Sequence, residues 1–230
     1  MPSLPVPKTL PPGGLVSTFS ATTYAEFKSR LIASACPKCP DLCATRHNIV
    51  VDRGDPAKPI VVIGEAPGEN EDLQGKSFVG RAGQLLDKIM ASIGLDTNKD
   101  MLIINVVKCR PPNNRAPKPL EAANCRPYLK RQLEFVKPEV VVLLGATAAK
   151  HLIPEQKGRG MKERVGQFFD LPDYPGTKFL LLYHPAYLLR DPRKKPETWE
   201  HVKKLKQFLE SRSFDFSQGK EVSSYESAHC

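Results

Sequence analysis

The stretch Pro59-Ile60-Val61-Val62-Ile63-Gly64-Glu65-Ala66-Pro67-Gly68-Glu69-Asn70-Glu71-Asp72 decides the fold of this chain. A short aliphatic run with no polar alternation predicts a strand covered on both faces, as in a parallel sheet. It stops at a turn rich in glycine and acid. The pattern recurs where Lys178-Phe179-Leu180-Leu181-Leu182-Tyr183 runs into His184-Pro185-Ala186-Tyr187-Leu188-Leu189-Arg190. In open parallel sheets the carboxyl ends of the strands face the ligand crevice. Glu65 and His184 therefore fall where such folds build active sites.

Two more strands are predicted at Met101 to Val107 and Glu139 to Leu144, the latter ending at Gly145. Helical spacing marks Thr23 to Ala35, Gln84 to Ile93, Pro119 to Phe135, Ala146 to Leu152 and Glu197 to Ser211. Thr23-x-x-Glu26 is a capping box for the first of these. Strands alternating with helices imply right-handed crossovers. The expected fold class is α/β: a three-layer α/β/α sandwich with a central four-stranded parallel sheet, one domain over 21–211. Cys36 to Pro56 reads as an irregular segment. Residues 1–20, rich in Pro, Gly and Ser, read as a disordered leader, and 212–230 as a disordered tail.

The formal net charge of +9 over 230 residues favours a polyanionic partner. No apolar run approaches the roughly 20 residues needed to span a bilayer, and Met1 to Thr18 lacks a signal-peptide core. A cytoplasmic, monomeric protein with no membrane partner is expected. In a reducing compartment its six cysteines point to metal or catalysis rather than disulfides.

Cys36-x2-Cys39 is a metal knuckle, with Cys43 four residues beyond and Cys109 and Cys125 far downstream on separate elements. Thiolates hold zinc or an iron–sulfur cluster. The loose second pair favours the larger cube, with zinc the less favoured occupant; small buried cysteines are the plain alternative. The loop after the first strand is neither a Walker A nor a Gly-x-Gly-x-x-Gly motif. Gly64 and Gly68 let its backbone approach a ligand. Its four acids, Glu65, Glu69, Glu71 and Asp72, suit a water or a developing cation better than a phosphate, unless the loop is merely solvated. His184 suits hydrogen bonding to a forming anion or general acid work, or a structural role. Asn105 could read an imide edge and Phe78 could stack on a base, or both could simply pack. Tyr187, Leu188 and Leu189 beside Arg190 form an apolar wedge of the kind that enters a duplex, or a cap on the core.

Read together, these motifs resemble the family 4 uracil-DNA glycosylases, the iron–sulfur branch of the uracil-DNA glycosylase superfamily. The likeness is carried by Gly64 to Asp72, by Phe78-Val79-Gly80-Arg81-Ala82-Gly83-Gln84-Leu85-Leu86, by Asn105-Val106-Val107-Lys108-Cys109-Arg110-Pro111-Pro112 and by His184 to Arg190. It implies a [4Fe–4S] cluster on Cys36, Cys39, Cys109 and Cys125. Here Cys39-Pro40-Asp41-Leu42-Cys43 has one residue more before its leucine than the family usually writes, so Cys43 stays open as a substitute for Cys39. The resemblance further implies a uracil pocket. Asn105 pairs with the base edge, Phe78 stacks, His184 bonds O2, Glu65 lies near sugar and water, Glu71 near the C5 edge, and Asn114 assists. Gly64, Ala66 and Gly68 belong to the substrate loop, and Tyr187, Leu188 and Arg190 face DNA. The expected activity is excision of uracil from single- or double-stranded DNA. The competing readings are a non-catalytic iron–sulfur DNA-binding or damage-sensing protein and a zinc-stabilised nucleotide-binding module. A related branch that captures abasic DNA covalently carries an inserted Lys-Arg-Arg-Ile-His stretch, which this chain lacks after Cys109.

Overall fold

A computed structural model of the chain describes residues 17–154, 160–212 and 214. Six strands run β1 (Arg53–Gly54), β2 (Ile60–Gly64), β3 (Met101–Asn105), β4 (Val140–Leu144), β5 (Phe168–Asp170) and β6 (Lys178–Leu182). The sheet order is β1-β3-β2-β4-β6-β5. The four inner strands are parallel, and β1 and β5 pair antiparallel at the two edges. The expected four-stranded sheet is thus the centre of a six-stranded one. The edge strands were missed because two or three residues give no periodicity to read.

Nine α-helices are described: α1 (Tyr24–Ala33), α2 (Pro40–Cys43), α3 (Glu69–Gln74), α4 (Arg81–Ala91), α5 (Pro119–Val136), α6 (Gly145–Leu152), α7 (Met161–Arg164), α8 (Pro185–Arg190) and α9 (Lys195–Ser211). Every residue of β2, β3 and β4 is buried, which explains their unbroken apolar composition. On one face Ile60, Val62, Ile103 and Val142 pack with Leu86 and Met90 of α4 and Val202, Leu205 and Leu209 of α9. On the other, Val61, Ile63, Leu102 and Val141 meet Ala122, Leu129 and Leu133 of α5 and Ala148 and Ala149 of α6. These are the three layers of an α/β/α sandwich.

A third cluster lies beside the sandwich. Phe27 and Leu31 of α1, Leu42, Ile49 and Tyr128 surround Cys109, with Cys36 and Cys39 packed against them. Helix α1 starts where expected, because Thr23 Oγ1 accepts the Glu26 amide at 3.2 Å. Ordered chain begins before residue 21: Thr18–Ser20 form a 3₁₀ turn, and Phe19 stacks on Tyr128 with ring centroids 5.2 Å apart. The rest of the expected leader, through residue 16, and the tail from 215 lie outside the described residues.

Among the acids of the first loop, Asp72 has a structural task. It is fully buried, and its carboxylate accepts the amides of His47 and Asn48 at 3.0 Å and contacts His47 Nδ1 at 2.8 Å. It fixes the cysteine-bearing segment to α3. Asp72→Ala removes the acceptor shared by these two amides, and unfolding in urea should show a loss of about 1–3 kcal/mol.

Candidate active site and cysteine cluster

The parallel register brings the ends of the inner strands to one level. Gly64 lies directly opposite Asn105, and Leu144 opposite Leu182, two residues before His184. The Val106 amide donates to Gly64 O at 3.0 Å and the Val107 amide to Glu65 O at 3.2 Å, which holds the Glu65 backbone beyond the strand. A cavity of about 670 Å³ opens there, lined among others by Glu65, Ala66, Asn114, His184, Tyr187 and Arg190. Residues read from three separate segments of sequence therefore share one chamber, while Asn105 and Phe78 lie outside its lining.

Gly64 sits beneath the recognition groups. A methyl group there would meet the Phe78 ring at 2.5 Å and Asn105 Oδ1 at 2.6 Å, so only glycine leaves the space. Phe78 and His184 rings lie 5.6 Å apart. Asn105 is 1% exposed, yet neither its Oδ1 nor its Nδ2 has a partner among the described residues. A buried carboxamide with donor and acceptor both free costs about 1–3 kcal/mol per group. Such a group calls for a partner, whether ligand or ordered water.

Phe78 has φ of 54°, a left-handed conformation that is strained for a bulky residue. Glu71 holds it there: Oε1 accepts the Val79 and Gly80 amides at 2.8 and 2.7 Å, and Oε2 accepts the Gly68 amide at 3.1 Å. Arg53 donates to Phe78 O from the other side. Glu71 is thus a clamp between the first loop and the stacking ring, a task its sequence position did not reveal.

His184 caps α8, its Nδ1 accepting the Ala186 amide at 3.1 Å. The ring proton of neutral His184 therefore resides on Nε2. Burial, with a lesser contribution from Arg190, pushes its imidazole down to about 4. Gly145, with φ of 84°, lets β4 turn against it; a Cβ there would stand 3.0 Å from that of His184. Asn114, also left-handed at φ 54°, uses its Oδ1 to accept Arg110 Nε at 2.8 Å.

Thr147, on the first turn of α6, donates its hydroxyl to Glu65 Oε2 and lines the same cavity. Nothing in the sequence pairs these two residues. The wedge needs one correction: Leu188 is 1% exposed, packed with Val165 and Tyr183, so it cannot face a duplex. Leu189, 44% exposed, is the outward leucine of α8. The cavity's other cations are Lys162 and Lys194. Several charges of residues 190–206 are paired internally, among them Lys194 with Glu197, Arg193 with Asp191 and Lys203 with Glu200.

At the cysteine cluster, Arg46 Nη1 donates to Cys109 Sγ at 3.2 Å, Asn124 Nδ2 to Cys39 Sγ at 3.5 Å, and Tyr128 Oη lies 3.6 Å from Cys36 Sγ. Burial pushes the Cys109 thiol up to about 12 against the pull of Arg46, and it raises Cys39 and Cys125 as well. Cys43 turns its Sγ onto Cys36 O at 3.1 Å. Among the described residues no three His, Cys, Asp or Glu side chains stand close enough to hold a metal ion as placed.

Residues 51–209 match the model of the "Uracil DNA glycosylase superfamily". The chain belongs to this family. It is 42% identical over 176 residues to a type-4 uracil-DNA glycosylase of Thermotoga maritima, covering 76% of this chain and 89% of that protein. A type-4 uracil-DNA glycosylase of Archaeoglobus fulgidus is 41% identical over 174 residues, covering 74% and 86%. One from Saccharolobus solfataricus is 40% identical over 181 residues, covering 77% and 83%. The family-4 likeness read from the motifs therefore holds over the whole sandwich. No described helix is long and apolar enough to cross a membrane.

The Thr147–Glu65 contact gives a test within this family's site. Thr147→Val should lower the turnover rate about tenfold with KM little changed, while Thr147→Ser, which keeps the hydroxyl, should stay near wild type. Steady-state kinetics on the two variants checks this.

Proposed function

We propose that this chain excises uracil from DNA by hydrolysing the N-glycosidic bond, leaving an abasic site. The observation that carries this reading is the buried, unpartnered amide of Asn105 close to the Phe78 ring, which lies 5.6 Å from the ring of His184 on the cavity wall. Rotating the base out of the stack costs a few kcal/mol. Inside, Asn105 Nδ2 donates to uracil O4 and Oδ1 accepts from N3–H. Cytosine reverses both polarities, leaving the buried amide opposed, which is a strong basis for rejection. Phe78, preset in its strained conformation, stacks on the ring.

Bond cleavage leaves negative charge on the base and positive charge on the sugar. Neutral His184 donates Nε2–H to uracil O2, and one preorganised donor of this kind contributes roughly 3 kcal/mol. The neutral ring is the better choice, since the charged form is disfavoured at this depth. Glu65, steadied by Thr147, faces the sugar cation or orients the attacking water, and Asn114 assists from the cavity wall. Tyr187, Leu189 and Arg190 of α8, with Lys162 and Lys194, form the face toward DNA.

The cysteine set supports a [4Fe–4S] cluster on Cys36, Cys39, Cys109 and Cys125. A zinc ion draws its sulfurs to within about 3.8 Å of one another, whereas a four-iron cube spreads them. Cysteines drawn from one knuckle and two separate elements, with Arg46 and Asn124 N–H groups on two of the sulfurs, suit the cube better. Bound there, the cluster supplies a staple between the amino-terminal segment and α5; the steps at the base are carried by the side chains above. Cys43, engaged with a backbone carbonyl, is the less suitable fourth ligand.

Incubation with a uracil-bearing oligonucleotide followed by alkali should give strand scission at the uracil. Binding without scission would leave the damage-sensing alternative instead. His184→Ala should cut about a hundredfold to a thousandfold more slowly while still binding. Because folding lowers this pKa from 6.5 to about 4, the stability held by the neutral ring is complete above pH 6.5 and is lost as pH falls toward 4. A His184-dependent inflection of single-turnover rates should therefore be absent between pH 6 and 7. Cys109→Ser should purify with less iron and without the brown absorbance near about 400 nm; full iron content would exclude Cys109 as a ligand.

A further inference from the structure

Lys108 is 1% exposed and buried beneath the site, yet it has no task in the chemistry above. Its Nζ donates to the backbone carbonyl of Asn105 at 2.7 Å. Its own carbonyl accepts the Val50 amide at 2.7 Å, which fixes the lysine backbone to the segment leading from the cysteine knuckle. A buried amine is costly unless its charge is matched, and an aliphatic side chain would fill the same space at no such cost.

Asn105 needs outside support. With both amide atoms unpartnered, its side chain has no hydrogen bond to aim it, and its direction follows from its backbone. On one side that backbone is fixed by pairing with Gly64. On the other, the Lys108 ammonium holds the Asn105 carbonyl.

We propose that Lys108 is a positioning residue for the uracil-reading amide: its Nζ donates to the Asn105 carbonyl and so holds the backbone from which that side chain projects. This rests on the glycosylase reading and deepens it. Lys108→Met keeps the volume but loses the donor. Lys108→Gln keeps a polar end that stops one bond short of the Nζ position.

The test combines single-turnover excision on a uracil oligonucleotide and its cytosine counterpart with steady-state kinetics. For Lys108→Met, kcat on uracil should fall about tenfold to a hundredfold with KM within about twofold, and uracil-over-cytosine selectivity should shrink. Lys108→Gln should fall in the same way. Wild-type kcat and selectivity in Lys108→Met overturn the proposal while leaving the glycosylase intact. If Lys108→Met does not fold, Lys108→Gln decides alone, and wild-type kcat and selectivity there overturn it. A wild-type chain that releases no uracil removes both readings.

Discussion

The pairing of Gly64 with Asn105 across the two central strands is the constraint from which the site follows. Because the strands are parallel and in register, both end at one height, and the residues beyond them inherit a shared floor. Glycine at that point leaves room for a phenyl ring and a carboxamide that any Cβ would displace. The rest of the chamber is assembled on this floor: Glu65 held by backbone bonds from Val106 and Val107, His184 seated against Gly145, and Phe78 clamped from below by Glu71.

Around that floor the polar groups fall into two kinds. Some are engaged with the backbone and serve as fixtures: Asp72 on two amides, Glu71 on three, Arg53 on the Phe78 carbonyl. Others are buried and unspent, above all the Asn105 amide. Free energy lost in burying an unpaired group is recovered when a matching ligand arrives, and a mismatched one recovers little. The same contrast explains why three acids of one loop act so differently: Glu71 and Asp72 bind protein amides, while Glu65 faces the open cavity.

Much of this was legible from residues alone. Strands buried on both faces announce themselves as unbroken apolar runs, and their turn residues mark where a crevice must lie. Glu65 and His184 could thus be assigned to one place from the strand ends, whereas Asn114 joined them only through the family resemblance. The two edge strands could not, being too short for any pattern. Nor could Thr147 and Lys108, whose contacts join residues far apart in sequence or one turn beneath a strand end. Leu188 and Leu189 are chemically alike neighbours, and only the orientation of a six-residue helix tells which is inside.

The two short outer strands carry a further meaning. A stack of four parallel strands with bare rims would present unpaired amides and carbonyls along its length, an invitation for another chain to add on. Arg53–Gly54 and Phe168–Asp170 run against their neighbours and end within a few residues, with Asp170 tied to Lys178 at 2.8 Å at one rim. Brief, charged rims of this kind resist intermolecular strand addition. The sheet that carries the pocket is thereby kept from templating its own aggregation.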